Sequence, residues 1–389
     1  MNELFIVAAK RTPQGRLLGA LAKCSAVELA KAAGRSVLAT PAGSGVSIDP
    51  QDLDHVIIGN VLASGQGMNI ARQVGVGLGL PLDRVAYTVN MMCASGMQAV
   101  ILAAQTILAG QANAILCGGT ESMSTAPYLL DRARAGYKFG DAVLLDSILR
   151  DGLSDAFSGR PMGLLTEALG AQYHIDRLAQ DTFALKSQQK YVAAQARGAF
   201  RAEIAPVENV AQDEHPRPDT TLEKLSMLKP AFKADGTITP GNASGVNDGA
   251  ALLVVCNEAM LKRRNWKPLA RIVGWSTVGC DPARFGLGPV WATRKLCQTL
   301  GLAPADFDVI EINEAFAVQV LACIKELNLD PERVNPDGGA IALGHPLGAS
   351  GARLLVHLAQ RLASGESEKA LATLCVGGGM GAAVMLAKV

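Results

Sequence analysis

Two cysteines with the makings of reactive groups stand far apart in this sequence, each in a frame of small residues. Cys93 lies in Asn90-Met91-Met92-Cys93-Ala94-Ser95-Gly96, and Cys375 in Leu374-Cys375-Val376-Gly377-Gly378-Gly379. Between them falls the turn Gly344-His345-Pro346. One sulfur can attack a carbonyl carbon while another, or an imidazole, moves a proton. That combination points to carbon–carbon bond chemistry on a thioester.

Each residue also has a plainer reading. Cys93 follows the apolar run Ala86-Tyr87-Thr88-Val89 and precedes a helix expected from about Ser95. A sulfur at a helix N-terminus is expected to have its pKa lowered toward thiolate, yet cysteine is also a common core residue. His345, one of five histidines, sits in a turn where an imidazole reaches a partner, or is simply a hydrogen-bonded bystander. Asn313 follows Val309-Ile310-Glu311-Ile312, where a strand hands over to a helix and faces the ligand crevice of an α/β sheet. Its amide can hold a water or donate to an oxyanion, or cap the helix. Gly377-Gly378-Gly379 leaves backbone N–H groups free to meet a substrate oxygen, or is only a turn. The specific signal is all four motifs at strand ends.

The elements that must carry these residues repeat. Asp52-Leu53-Asp54 before Val56-Ile57-Ile58 returns as Asp306-Phe307-Asp308 before Val309-Ile310-Glu311, and Ala94-Ser95-Gly96 returns as Ala349-Ser350-Gly351. The offsets are 254 and 255 residues. Each Ala-Ser-Gly is expected to open a helix, over 97–108 and 352–362, leading to an apolar strand that ends at cysteine and glycine, around Cys117-Gly118 and Cys375-Val376-Gly377. Such near-continuous apolar strands between helices indicate parallel sheets covered on both faces. Two duplicated α/β halves sharing one core follow, and duplication brings the turns of Cys93 and His345 face to face. The halves are read as 1–120, completed by about 247–268, and 269–389. An insertion over 121–246 lies between them, with a charged loop around Arg132, Arg134 and Lys138, a helix over 177–199, and the polar stretch Asp213-Glu214-His215-Pro216-Arg217-Pro218.

A chain of 389 residues, about half apolar, is long enough for more than one structural unit. A formal net charge of +1 argues against nucleic-acid or membrane partners. Eight cysteines without paired ligand spacings predict reduced thiols and no metal site. The opening Met1-Asn2-Glu3-Leu4-Phe5 is not a signal peptide, no window approaches the roughly 20 apolar residues of a membrane helix, and a cytoplasmic protein is expected.

Taken together, Cys93-Ala94-Ser95-Gly96, Asn313-Glu314-Ala315-Phe316-Ala317, Gly344-His345-Pro346-Leu347-Gly348 and Cys375-Val376-Gly377-Gly378-Gly379, with Asn242-Ala243-Ser244-Gly245-Val246-Asn247-Asp248-Gly249-Ala250 and Arg11-Thr12-Pro13, stand in the order of the thiolase family. The chain resembles that family over its whole length, its bacterial acetyl-CoA C-acetyltransferase branch above all. The resemblance implies the thiolase fold, a layered α-β-α-β-α core with an inserted loop domain. It implies that Cys93 takes an acyl group from acyl-CoA while His345 takes its proton. Cys375 then removes the α-proton of a second acetyl-CoA, and the carbanion attacks acyl-Cys93 to give 3-ketoacyl-CoA. It further implies oxyanion holes from Asn313 with a water and His345, and from the N–H groups of Cys93 and Gly377.

CoA contacts at Ser244, Arg217 and Met162 follow from the same resemblance, as does a homotetramer through the charged loop, with acetyl-CoA, CoA and 3-ketoacyl-CoA as substrates and products and no separate cofactor. Pro161-Met162-Gly163 stands where acetoacetyl-CoA-specific members carry His-Met-Gly, which leaves a broader 3-ketoacyl-CoA thiolase as the alternative. Decarboxylating ketoacyl synthases are disfavoured by Cys375, and a non-catalytic CoA or lipid carrier by the intact motif set.

Overall fold

In the computed structural model, which describes residues 3–40 and 47–389, ten strands build one continuous sheet. Met1 and Asn2 of the opening segment read above lie outside the described residues. Across the sheet the order is Val85–Val89, His55–Gly59, Ala114–Ser122, Asn247–Asn257, Leu4–Arg11, Ala270–Gly279, Met380–Ala387, Lys369–Val376 and Val309–Ile312, with the short Gly15–Arg16 beside Asn247–Asn257. The join is narrow: Leu4, Phe5 and Ile6 pair with Ile272, Arg271 and Ala270. About this seam the sheet folds into two halves facing each other.

Between the halves lie two helices, Ser95–Leu108 and Leu347–Ala363. Their apolar residues share one core with strands of both halves, among them Ile57, Val100, Leu253, Leu355, Leu374 and Val384. Helices Ala26–Ala39 and Ile70–Gly77 cover the outer face of the first half, and Gly288–Leu300 with Ala317–Leu327 that of the second. This is the expected α-β-α-β-α layering.

The sheet is mixed rather than parallel. Only His55–Gly59 with its two neighbours, and Val309–Ile312 with Lys369–Val376, pair in parallel. Burial on both faces makes a strand apolar whichever way it runs, so composition alone did not set direction. Beyond Lys369–Val376 the chain turns through Gly378 and Gly379, at φ +83° and +82°, into a further strand, Met380–Ala387, which the sequence pattern does not mark. The first helix begins at Ser95, as expected, whereas the second begins at Leu347, ahead of its Ala-Ser-Gly. Among the described residues no helix is long and apolar enough to cross a membrane.

Candidate active site

The duplication places the two turns against each other through close helix contact. A Cβ on Gly96 would meet the Gly348 carbonyl oxygen at 2.7 Å, and one on Gly351 the Met97 backbone nitrogen at 2.8 Å. Small residues near the starts of both helices therefore let the Cys93 and His345 segments approach.

Cys93 stands just before the helix, with Ala94 as its N-cap and no side-chain cap bond. The preceding turn is strained and heavily pinned. Met92 holds φ +46°, its N–H donates to Asn90 Oδ1 at 2.9 Å, and the Ser95 hydroxyl accepts from Met91 N–H and donates to Met92 O. A non-glycine residue held in the left-handed region beside a candidate nucleophile is the kind of strain that clusters at functional sites. The thiolate expectation is corrected here: burial pushes the Cys93 thiol up to about 11, although backbone N–H groups of Gly377 and of Cys93 itself pull it down. Desolvation outweighs the helix terminus, so Cys93 rests as a neutral thiol that needs a base.

His345 is buried between helix Ala340–Leu343 and helix Leu347–Ala363. Its Nδ1 lies 2.6 Å from Ser350 Oγ, whose own proton goes to Pro346 O at 2.9 Å. Ser350 must therefore accept, so Nδ1 carries the ring proton and Nε2 presents a lone pair. Burial first, then the Arg353 cation, push the imidazole down to about 4, which keeps it neutral. The His345 N–H donates to Asn247 Oδ1 at 2.9 Å, and Gly344 at φ +105° lies against the same amide.

Asn313 lies fully buried after Ile312, its Nδ2 3.4 Å from His345 Nε2. The helix-cap reading falls away, because the following helix starts at Ala317 with Phe316 as its N-cap. Asn313 Oδ1 is a buried acceptor with no protein partner, so it is free to accept from a water or a substrate. Asn335 pins the segment: its Oδ1 accepts from Ile312 N–H, and its Nδ2 donates to Ile312 O and Glu314 Oε1.

Cys375 is buried with Met162, Phe285 and Ala315, and its thiol is pushed well up by desolvation and then by neighbouring Cys93. The sulfur pair, the imidazole and the Asn313 amide thus converge from both halves. The Gly377 N–H lies near enough to the Cys93 sulfur to draw its pKa down, and the methyls of Met92 and Met162 approach Gly377, each 3.7 Å from where a Cβ would stand. Ser244 is tied to the Asn313 segment, its N–H and hydroxyl donating to Ala315 O at 3.0 and 3.1 Å. Arg217 is not brought into contact with the quartet. It is exposed, with its backbone N–H held by Gln188 Oε1.

Three supporting groups escaped sequence reasoning. Asn247 stood inside a quoted motif without a role, and Ser350 was read only as part of the repeat. Glu121 carried no signal of its own. Buried at a strand end, it accepts from Asn60 Nδ2, Val61 N–H, Leu62 N–H and Gly348 N–H, joining the strand ends near Cys93 to the helix that follows His345. Among the described residues no cluster of metal-ligating side chains occurs.

Comparison with known proteins agrees with this geometry. Residues 4–259 match the family description "Thiolase, N-terminal domain" and residues 266–388 "Thiolase, C-terminal domain". The chain is 49% identical to an acetyl-CoA acetyltransferase of Escherichia coli (strain K12), covering 99% of each. It is 44% identical to a mitochondrial 3-ketoacyl-CoA thiolase of Rattus norvegicus, covering 99% of this chain and 98% of that one. Its fold is similar to the crystal structure of human mitochondrial 3-ketoacyl-CoA thiolase in complex with CoA, with a TM-score of 0.96, 43% identity, and coverage of 100% and 98%.

Proposed function

This chain belongs to the thiolase family, and we propose that it joins two acetyl-CoA molecules reversibly into acetoacetyl-CoA and CoA through an acyl-Cys93 intermediate. The observation that carries this reading is the convergence of Cys93, Cys375, His345 and Asn313, with the Gly377 N–H near the Cys93 sulfur.

The geometry supports a balanced sequence of steps. His345 Nε2 takes the Cys93 proton as the sulfur attacks the thioester carbonyl, and the N–H groups of Cys93 and Gly377 receive the developing oxyanion. The carbon–sulfur bond to CoA breaks, and Cys375 protonates the leaving thiolate. The Cys375 thiolate then takes the α-proton of the second acetyl-CoA. Asn313, through a water, and His345 stabilise the resulting enolate oxygen. The carbanion attacks acyl-Cys93, the Cys93–carbon bond breaks, and the sulfur recovers its proton from His345. Thiolysis is the same path reversed.

Met162 beside Cys375 fits a wall of the acyl or pantetheine pocket, Ser244 a pantetheine contact, and exposed Arg217 the phosphate end of CoA. CoA and its acyl esters are substrates here, and no separate cofactor is needed. The exposed apolar residues of the hairpin Tyr128–Leu130 and Leu144–Asp146 fit an interface of a homotetramer, and we place the enzyme in the cytosol.

A second reading, a broader 3-ketoacyl-CoA thiolase acting in fatty-acid breakdown, is favoured by Pro161, which leaves that pocket without an imidazole. Thiolysis of acetoacetyl-CoA beside the six- and eight-carbon 3-ketoacyl-CoA esters tests both. Activity on the four-carbon substrate alone establishes the first reading, comparable rates on longer chains the second, and no activity refutes acyl transfer.

A further inference from the structure

The catalytic steps leave two buried imidazoles without a role; His357 is taken up between Glu203 and Asp337, and His215 remains. His215 is 7% exposed, and its Nδ1 lies 3.2 Å from Asn247 Nδ2. The orientation of that amide is forced. Asn247 Oδ1 must accept from His345 N–H at 2.9 Å, and Nδ2 must donate to Gly15 O at 2.8 Å. The second Nδ2 proton therefore points at His215 Nδ1, which must be an acceptor, so the ring is neutral with its proton on Nε2.

A protonated ring would set two donors against each other. Burial first, and then Arg217 and Arg16, push His215 down to about 4, against the opposing pull of Glu214 and Asp213. These four are the charged groups that act most strongly on the ring, and both contributing segments are anchored. Asp213 accepts from Arg11 and Gln14 N–H, and Glu214 from Arg16 and Ala20 N–H. The other edge of the ring packs on Gly245, next to Ser244.

We propose that His215 is a positioning residue for His345: by accepting from Asn247 it holds the amide that fixes the Gly344–His345 backbone, and it ties that backbone to the loop bearing Arg217. The role rests on His345 being the base in acyl transfer. It is distinct from any grip of Arg217 on CoA, because His215 acts on the rate of the chemical step and not on how tightly CoA is held.

The test is the burst of CoA released when the full-length protein meets acetyl-CoA, followed with steady-state kcat and KM for CoA. His215→Ala is expected to slow the burst and kcat about 10-fold, with KM for CoA within about twofold of wild type. His215→Asn, whose side-chain oxygen occupies the place of Nδ1, is expected to recover most of the rate. If His215→Ala is recovered unfolded, His215→Leu serves as the acceptor-free variant. A folded His215→Asn as slow as the acceptor-free variant, or a change confined to KM, overturns the positioning role. So does an unchanged burst in the acceptor-free variant. Absence of any burst in wild-type protein overturns acyl transfer itself, a separate failure.

Discussion

At the scale of residues, the site is built from groups kept neutral by burial rather than charged in readiness. Cys93 at about 11 and His345 at about 4 are far apart, so the resting pair is thiol and imidazole, and the proton moves only as the thioester carbonyl is attacked. The sign for pH dependence follows. The base form of His345 is the neutral one, and it persists as pH falls from 8 through the usual histidine range, to be lost only as pH approaches 4. The rate of Cys93 acylation by acetyl-CoA should therefore show no acid limb near 6.5, and stopped-flow measurement between pH 5 and 8 that finds one would contradict the neutral pair. The two sulfurs should separate by step. Cys93→Ser is expected to abolish both CoA exchange into acetyl-CoA and condensation. Cys375→Ser should lower condensation by about 10²–10⁴-fold, the range for a lost proton-transfer group, while isotope exchange of CoA into acetyl-CoA continues at a higher residual rate. Equal loss of both activities would remove Cys375 from the second step.

At the scale of elements, Cys93, His345, Asn313 and Cys375 were legible because each lies at a strand end or helix start, where short polar and glycine residues break an apolar run. What holds them was not. Glu121 reads as one acidic residue after an apolar strand, and nothing local shows that its four donors come from Asn60, Val61, Leu62 and Gly348. Long-range partners of a buried carboxylate are set by packing, which has no period in sequence. The C-terminal hairpin is less legible for a related reason: a turn is one reading of the glycine run, and φ values near +80° at Gly378 and Gly379 bear it out, but the strand Met380–Ala387 beyond it has no signal beyond apolar composition. Glu121 yields a sharp test. Oε1 accepts from Asn60 Nδ2 and Leu62 N–H, and Oε2 from Val61 N–H and Gly348 N–H. Whichever way a glutamine amide turns, its NH₂ faces two donors. Glu121→Gln should cost about 2–3 kcal/mol in chemical denaturation, the scale of buried donors left unpaired, and slow acylation as the two turns separate. Stability within 0.5 kcal/mol of wild type, about the range of ordinary surface substitutions, would show that the clamp does not matter.

For the whole molecule, duplication explains both what repeats and what does not. The first half ends at the five-residue strand Val85–Val89, while its counterpart beside Val309–Ile312 has shrunk to a single bridge between Ile310 and Val334. Val85–Val89 thus leaves an open sheet edge, with Val85 exposed, and an unpaired edge is a template for another strand. The second unsatisfied surface is the inserted hairpin, where Tyr128, Phe139, Val143 and Leu144 are exposed together. Scattered exposed apolar residues need no explanation, but a group on one projecting loop is the pattern of an association surface. These two surfaces lie on different elements, so the homotetramer proposed above would form in two stages, the edge pairing copies into dimers and the hairpin pairing dimers. Light scattering coupled to size exclusion should give a tetramer for the wild type. Phe139→Asp with Val143→Asp should give a dimer, because a carboxylate buried in a protein interface without a partner costs more than the contact gains. Turnover per site should stay within about threefold, since neither residue touches the catalytic quartet and acyl transfer is a step of high local order. A variant that stays tetrameric would place the association surface elsewhere, and one that falls to monomers would mean that the hairpin, rather than the sheet edge, holds the dimer together.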